Sequence, residues 1–406
     1  MSISLHYGQR RVYQCDCDPS QLQAQLALPH PTADFDADLK TAFEQPLDFP
    51  PLSQCVVPGD KVVLAVDHHT PRAADIVDGV CEILIASGIE PGDVTILQPA
   101  STGNGLLIDP RSRLADTIQA QVEWEIHDPA DENQNAYVAT TAGGQRIYLS
   151  RNLVEADFVL SIGQITFDPV MGYRGTNSVF YPGLSSADAF GRAQGQGHSE
   201  LGPDEERPFR QLVDEVAWLL GTQVSVQVIA AGRGEVLTVL SGAHESVLRR
   251  GISLLGDHWR LQVDERAEVV VAAVSADAGG HSWDQIGAAV ANARRLVTRG
   301  GRIVILSELS AEPGDGMQLI RGSDEPRDAI QPLCDLSPPD LIPALQLADA
   351  LDWAEVHLLS NVRESIVSEL HMQPLASESA VDAIIAEAAS CIFLDGAQHA
   401  YGNVRS

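Results

Sequence analysis

The sequence predicts a two-domain α/β protein, with parallel and mixed sheets flanked by helices and a ligand cleft between the domains. The chain has 406 residues, 44% of them hydrophobic, which is more than one core usually holds. From Lys61 onward, compact apolar runs alternate with amphipathic stretches, as in parallel doubly wound sheets. A second strand–helix–strand cycle begins at Ala267, so we place the domains at residues 1–255 and 256–406.

The first domain begins its alternation with three clear elements. KVVLAVD (61–67) and DVTILQP (93–99) predict strands, and IVDGVCEILIASG (76–88) predicts a helix that ends at a glycine. Further apolar runs of strand length lie at 122–128, 145–150, 156–163, 224–231 and 235–242. The last two runs are expected to form a hairpin.

The second domain repeats the pattern. AEVVVAAVSA (267–276) and RIVILSEL (302–309) predict strands on either side of the helix DQIGAAVANARRLVT (284–298). The polar, turn-rich stretch 311–328 predicts a loop or insertion. The alternation then continues in the segments 344–354, 355–361, 378–389 and 390–396.

Composition excludes several classes of partner. The formal net charge is −30 and the pI is about 4.5, which disfavours nucleic acid and anionic membranes. Six cysteines in so long a chain do not form a disulfide scaffold, and no signal peptide or membrane-length apolar run is evident, so a cytoplasmic location is expected. The expected partner is a small anionic substrate, and the oligomeric state stays open, a homo-oligomer included.

Two further features of the sequence limit the chemistry. Only Lys40 and Lys61 among the 26 basic residues are lysines, so a mechanism that needs a lysine amine must use one of them. The sequence lacks GxxxxGK[ST], GxSxG and HExxH, the minimal signatures of P-loop ATPases, serine hydrolases and zincins. Generic dinucleotide binding rests on fold analogy alone.

Polar clusters follow the predicted strands, where open α/β sheets bind ligands. The first cluster is DHHTPR (67–72), in which Arg72 can grip a phosphate or carboxylate and His68 and His69 can transfer protons. Adjacent residues on extended backbone point in opposite directions, so one metal is not expected to bind both histidines. A second cluster, STGNG (101–105), is equally compatible with an ordinary turn.

Two more clusters are rich in glycine. The block GQITFDPVMGYRGTNSVFYPG (163–183) contains Asp168, Tyr173, Arg174, Asn177 and Ser178, and its glycines at 172, 175 and 183 allow close approach of a ligand. The block therefore predicts a ligand-binding loop. The last cluster, GQGHSE (195–200), places His198 in glycine-rich backbone, as a metal ligand or a plain surface histidine.

These segments, in this order, resemble the lactate racemase family, whose members use a nickel-pincer nucleotide to racemise or epimerise 2-hydroxy acids. The resemblance covers most of residues 55–400 and rests on several landmarks. They are the stretch 63–99, EIHDPAD, GGQRIYLSRNLVEADFVLSIG, the GYRG and YPG pair, VLTVLSGAHESVLRRGI, AEVVVAAVSADAGG and ANARRLVTRGGRIVILSE.

The resemblance implies a two-domain enzyme with its cofactor between the domains. The family's proposed chemistry removes a hydride from the α-carbon of a hydroxy acid, while histidines move the hydroxyl proton. By this likeness, the cofactor-binding residues are Asp67, Thr70, Arg72, Gly172, Tyr173, Gly175, Ser178 and Gln285. His198 is the metal ligand, matched only when extra residues are allowed.

The chain departs from the family pattern at its reactive positions. Ser178 stands where the family carries the lysine that tethers the cofactor, and Ala288 replaces a second lysine. One catalytic histidine is missing from the turn at 101–104, and the other falls at Asp168. A carboxylate there can act as a base if desolvation raises its pKa.

Three interpretations remain at the level of the sequence. The first is a divergent racemase or epimerase of a 2-hydroxy acid or sugar acid, which holds a nickel-pincer nucleotide noncovalently and uses Asp168, His68 or His69 as the base. The second is a noncatalytic or repurposed member that binds an anionic metabolite or nucleotide without nickel chemistry. The third is a metal-independent enzyme that uses Asp67, His68 and His69.

Overall fold

The computed structural model of the chain describes residues 1–67, 69–100, 107–194, 201–277 and 280–405. Within these ranges the chain forms strands, α-helices and short 3-10 helices. The strands are β1 Ser2–Tyr7, β2 Arg11–Asp16, β3 Leu22–Leu26, β4 Val62–Val66, β5 Val94–Gln98, β6 Glu123–Ile126, β7 Asn135–Thr140, β8 Arg146–Ser150, β9 Phe158–Gln164, β10 Thr166–Asp168, β11 Gly172–Arg174, β12 Val224–Gly232, β13 Glu235–Ala243, β14 Arg260–Val263, β15 Ala267–Ala273, β16 Val297–Leu306, β17 Glu355–Leu359, β18 Gln373–Pro374, β19 Cys391–Asp395 and β20 Tyr401–Val404.

The helices separate most of these strands. They are α1 Phe35–Glu44, α2 Ala73–Ala86, α3 Asp116–Gln119, α4 Arg151–Glu155, α5 Ala187–Gln194, α6 Pro208–Leu220, α7 His244–Trp259, α8 Trp283–Leu296, α9 Asp315–Arg321, α10 Ile330–Leu336, α11 Leu341–Trp353, α12 Glu364–Glu369 and α13 Glu378–Glu387. The 3-10 helices are Leu52–Gln54, Pro91–Asp93, Thr176–Val179 and Pro326–Ala329. None of the helices in the described ranges is both long and apolar enough to cross a bilayer.

The chain divides into two compact units. The central unit contains His30–Ser101 and Leu107–Gly256, and the C-terminal unit combines Met1–Pro29 with Asp257–Ser406. The division after Gly256 lies next to the domain boundary that the sequence suggests. The N-terminal segment joins the C-terminal unit because β3 pairs in parallel with β19.

The central unit is built on a six-stranded sheet in the order β13-β12-β9-β4-β5-β6. All its strands are parallel except β13, which forms the predicted antiparallel hairpin with β12. Strands β4 and β12 are buried along their whole length, which explains their continuous apolar runs. Helices α1 and α2 cover one face of the sheet, with apolar side chains such as Phe35, Leu39 and Ile76 in the core.

The C-terminal unit has a six-stranded parallel sheet in the order β18-β17-β16-β15-β19-β3. Helices α8 and α11 contribute buried residues to the core on one face, and the β1–β2 hairpin and α13 contribute to the core on the other. The predicted α/β class, with parallel and mixed sheets flanked by helices, is confirmed.

One sequence prediction in this unit is wrong. The stretch 311–328 forms helix α9 and a 3-10 helix rather than a loop. Met317 and Ile320 are buried one helical turn apart, and the Asp340 carboxylate accepts hydrogen bonds from the backbone N–H groups of Gly316 and Met317. This carboxylate, supplied from a distant part of the chain, stabilises the start of a helix that has few apolar residues of its own.

Candidate functional site

The strand order of the central unit reverses at β4, which marks a candidate ligand site. From β4 the chain proceeds to β5 and β6 on one side, and it later returns to place β9 on the other side of β4. Open α/β sheets bind ligands at the carboxyl ends of strands where the order reverses in this way. Asp67, a predicted site residue, directly follows β4 and therefore lies at this switch point, where Gln164 ends β9.

The Asp67 turn is held by several hydrogen bonds. The backbone N–H of Asp67 donates to the carbonyl oxygen of Ile162 at 2.9 Å, and the Asp67 carbonyl oxygen accepts from the Thr70 hydroxyl at 2.6 Å. Oδ1 of Asp67 accepts the backbone N–H of His69 at 3.2 Å. These bonds hold three predicted site residues, Asp67, His69 and Thr70, in one turn. Asp67 and Thr70 are buried.

Arg174 supplies a positive charge beside Asp67. Its Nε and Nη2 each lie 3.1 Å from Oδ2 of Asp67. The Asp67 side chain is only 5% exposed, whereas 33% of the Arg174 side chain is exposed. The buried carboxylate therefore orients a guanidinium that also faces solvent.

Arg72, the predicted anion contact, is directed elsewhere. It adopts a left-handed backbone conformation at the start of α2, with φ of 54°. Its guanidinium lies over the Phe35 ring, 4.1 Å from the centroid, and Nε is 3.2 Å from Oδ2 of Asp75. The hydrogen bond that Arg72 donates to the Asp75 carboxylate raises the pKa of Arg72.

The β10–β11 hairpin contains Asp168. Oδ1 of Asp168 accepts the backbone N–H groups of Val170 at 2.8 Å and Met171 at 2.7 Å, and so closes the hairpin turn. Gly172 follows with φ of 75°, and a Cβ at this position would lie 2.4 Å from the carbonyl oxygen of Pro203. Only glycine fits this position without displacing backbone.

Tyr173 is fixed on the same hairpin. Its hydroxyl donates to the Asp204 carboxylate, and its ring lies 5.6 Å from the ring of Phe167 on the paired strand. The residue is buried. These contacts give Tyr173 a structural role in the hairpin that the sequence did not specify.

Ser178 lies in the 3-10 helix Thr176–Val179 and bonds to its own loop. Its Oγ accepts the backbone N–H of Gly175 at 3.0 Å, and Ser178 is only 3% exposed. Gly175 has φ of 123°, and a Cβ there would lie 2.8 Å from Cγ1 of Ile165. The loop therefore packs closely against the end of β9.

Arg210 of α6 holds this loop by hydrogen bonds, a role that sequence reasoning missed. Its Nη1 donates to the carbonyl oxygens of Tyr173 and Gly175 at 3.4 and 3.3 Å, and Nη2 donates to Oγ1 of Thr176 at 3.1 Å. The Asp214 carboxylate, one helical turn later, orients the guanidinium through Nε and Nη2. One arginine thus supports three positions of the loop.

Gln285 lies in the C-terminal unit, at the switch point between β15 and β19. Its Nε2 donates to Oδ2 of Asp277 at 2.5 Å, and its Oε1 accepts the backbone N–H of Ser282, which caps α8. Nε2 of His399 lies 3.3 Å from Oδ1 of Asp277. Gln285 thus belongs to a buried polar network of its own unit.

Some predicted residues lie outside the part of the chain that the structure describes. They are His68, His198 and the clusters at 101–105 and 195–200. Among the residues that are described, no group of three His, Cys, Asp or Glu side chains is placed to hold a metal ion.

The chain is similar to known proteins in sequence and fold. Residues 7–193 match the family model of the lactate racemase N-terminal domain. The whole chain superposes on the lactate racemase apoprotein from Thermoanaerobacterium thermosaccharolyticum, with a TM-score of 0.81, 18% identity and 100% coverage of both chains. A crystal structure of a Thermotoga maritima protein matches with a TM-score of 0.65 and 14% identity, over 87% of this chain and 96% of that chain. No curated protein sequence matches.

Proposed function

We propose that this chain is a member of the lactate racemase family and an isomerase of a 2-hydroxy acid or sugar acid that holds its cofactor without a covalent bond; the match of residues 7–193 to the family's N-terminal domain supports this. The observation that carries the proposal is the switch point of the central unit. There the Asp67–Arg174 ion pair, His69 and the loop around Gly175 meet at the carboxyl ends of β4 and β9.

The residues present do not fit a covalently tethered cofactor. A thioamide linkage needs a lysine amine, and the matching side chain is the Ser178 hydroxyl, which is buried and bonded to Gly175. Lys40 is 75% exposed and pairs with Glu44, and Lys61 is an exposed residue before β4. When bound, a nickel-pincer nucleotide supplies a hydride acceptor; this chain would have to retain it by hydrogen bonds and charge alone.

The chain's own residues have separable tasks in this proposal. Arg174 binds the substrate carboxylate, and Asp67 holds the guanidinium in place. His69 lies in the same turn as Asp67, to which its backbone N–H donates, and it is the first candidate to take the hydroxyl proton. Asp168 is the second candidate, although its Oδ1 already accepts two backbone hydrogen bonds.

The engagement of Asp168 favours a second candidate function. Oδ1 of Asp168 already accepts two backbone N–H groups that close its own turn, so this oxygen has a structural task. If Asp168 is purely structural and His69 does not act as a base, the same site binds an anionic metabolite or nucleotide without turnover. Arg174 would then be a binding residue rather than part of an active site.

Ligand binding tests the choice of arginine. We expect Arg174→Met to raise the Kd for 2-hydroxy acids at least about tenfold, because a charge-assisted contact is lost. The matched variant Arg72→Met should keep the affinity, since Arg72 is engaged by Phe35 and Asp75. Thermal shift titrations with lactate and gluconate measure both variants. The reverse pattern would assign the anion contact to Arg72 and refute this arrangement.

Turnover separates the two candidate functions. Protein coexpressed with the cofactor-making machinery should interconvert the stereoisomers of a 2-hydroxy acid, followed by chiral chromatography. Asp168→Asn keeps an acceptor for the turn, so loss of activity in a folded variant would identify the base. Ligand binding with no turnover of any tested acid would establish the second function instead.

A further inference from the structure

Three buried amide oxygens lie near the switch point of the central unit. Within the described residues they have no hydrogen-bond partner, and we call them the orphan oxygens: Gln164 Oε1, Asn177 Oδ1 and Gln227 Oε1. The three residues are 8%, 6% and 1% exposed, respectively. Buried polar groups in folded proteins are nearly always paired, so a local concentration of exceptions requires an explanation.

Gln227 projects toward the Asp67 site. It lies on β12 in register with Gly163 of β9, and its Oε1 lies 3.1 Å from where a Cβ on Gly163 would be. The same oxygen lies 3.2 Å from the corresponding position on Gly175. A Cβ on Gly163 would lie 3.6 Å from the Cβ of Asp67. Two glycines thus leave room for the Gln227 amide beside the Asp67–Arg174 pair.

The orientation of the Asn177 amide is fixed by its neighbour. Nδ2 donates to Oδ1 of Asp214 at 2.8 Å, and this carboxylate is also held by Arg210. A carboxylate accepts hydrogen bonds, so the nitrogen of Asn177 must face Asp214 and the oxygen must be the orphan atom. Asn177 therefore presents an acceptor.

We propose that Gln227 and Asn177 are ligand contacts that accept hydrogen bonds from hydroxyl groups, so that the ligand of this site is a polyhydroxylated acid rather than a hydroxy acid with an apolar tail. The inference rests on the proposed function and narrows its substrate class. An acid with several hydroxyl groups supplies donors to these acceptors, whereas a methyl group leaves them without partners. Because the orphan oxygens are shielded from solvent, the proposal requires the loop at 172–178 to move when the ligand binds.

The proposal predicts an unusual combination of effects for Gln227→Met. Methionine has a similar volume and no polar atom, so it removes a buried group that lacks a partner in the ligand-free protein. The melting temperature of the free variant should stay equal or rise. Its affinity for a polyhydroxylated acid should fall about tenfold, because one hydrogen bond is lost.

Ser225→Ala is the matched control. Ser225 lies two residues earlier on β12, is fully buried, and its Oγ also has no partner within the described residues. It is in register with Ser161 of β9, two residues farther from the carboxyl ends of the strands than the Gln227–Gly163 pair. We expect this variant to keep its affinity for the ligand.

The experiment titrates gluconate and lactate into the wild-type protein and both variants and follows thermal unfolding. The expected result is that wild type binds gluconate at least about tenfold more tightly than lactate, a preference that Gln227→Met loses and Ser225→Ala keeps. Equal binding of the two acids by wild type, which needs no variant to fold, would overturn the inference and leave the proposed function intact. A lowered melting temperature of Gln227→Met with the preference retained would make Gln227 structural. If neither gluconate nor lactate binds, the proposed function is overturned as well.

Discussion

Replacement of Ser178 by alanine tests whether this residue now serves its own loop. In the wild type, Oγ of Ser178 accepts the N–H of Gly175, and both residues are buried. Alanine removes the acceptor and leaves a buried backbone donor without a partner. Such a group costs about 1–3 kcal/mol in the free energy of unfolding.

The predicted effect is large enough to measure by thermal unfolding. In a unit of this size, 1 kcal/mol corresponds to about 2–4 °C in Tm, so Ser178→Ala should melt about 2–12 °C below wild type. Ser53→Ala is the matched control, because Ser53 lies in a 3-10 helix of the same unit and is exposed. Its effect should be within about 0.5 kcal/mol. A Tm of Ser178→Ala equal to that of the control would refute the structural role of this hydroxyl.

Three further predictions concern the same unit. Burial lowers the pKa of His244 from 6.5 to about 4, and its Nδ1 is buried although part of the residue is exposed. Between pH 6.5 and pH 4 the unfolded chain therefore binds the proton more strongly than the folded chain. The free energy of unfolding should fall by up to about 3 kcal/mol as the pH drops from 7 to 4. Urea titrations should show a weaker dependence of the unfolding free energy on pH in His244→Gln. An unchanged pH dependence would contradict its assignment to His244. Gly172→Ala should cost at least about 2 kcal/mol, because of its left-handed φ and the Pro203 oxygen, and a neutral effect in urea would refute the backbone argument. Arg210→Met should speed hydrogen exchange at Thr176–Val179, whereas unchanged exchange would show that other contacts hold the loop.

Much of the fold could be predicted from the sequence because the parallel strands are fully buried. Val62–Val66 and Val224–Gly232 are buried at every position, and they therefore read as continuous apolar runs. The position of Asp67 at the site followed from the same logic, since it directly ends such a run. The pairing of Leu22–Leu26 with Cys391–Asp395 could not be predicted, because it joins residues far apart in the chain and the first strand is only partly buried.

The site was predicted less completely, because side-chain partners depend on tertiary contacts. Nothing local in the sequence distinguishes Arg174, which meets Asp67, from Arg72, which is engaged by Phe35 and Asp75. Arg210 lies on a separate helix and reaches the loop only in the folded chain. One signal was available: Gln227 interrupts the apolar run VSVQVIAA, and a polar residue inside a fully buried strand indicates a special role.

The measurement that tests the central claim most directly combines nickel analysis with mass spectrometry. Protein coexpressed with the machinery that makes the nickel-pincer nucleotide should carry nickel and a near-ultraviolet chromophore, both lost on dialysis. Its denatured mass should remain that of the bare 43.5 kDa chain, because Ser178 cannot form the tether. A covalent mass increment would contradict the absence of a tether. Protein that stays metal-free even after coexpression would contradict the noncovalent cofactor.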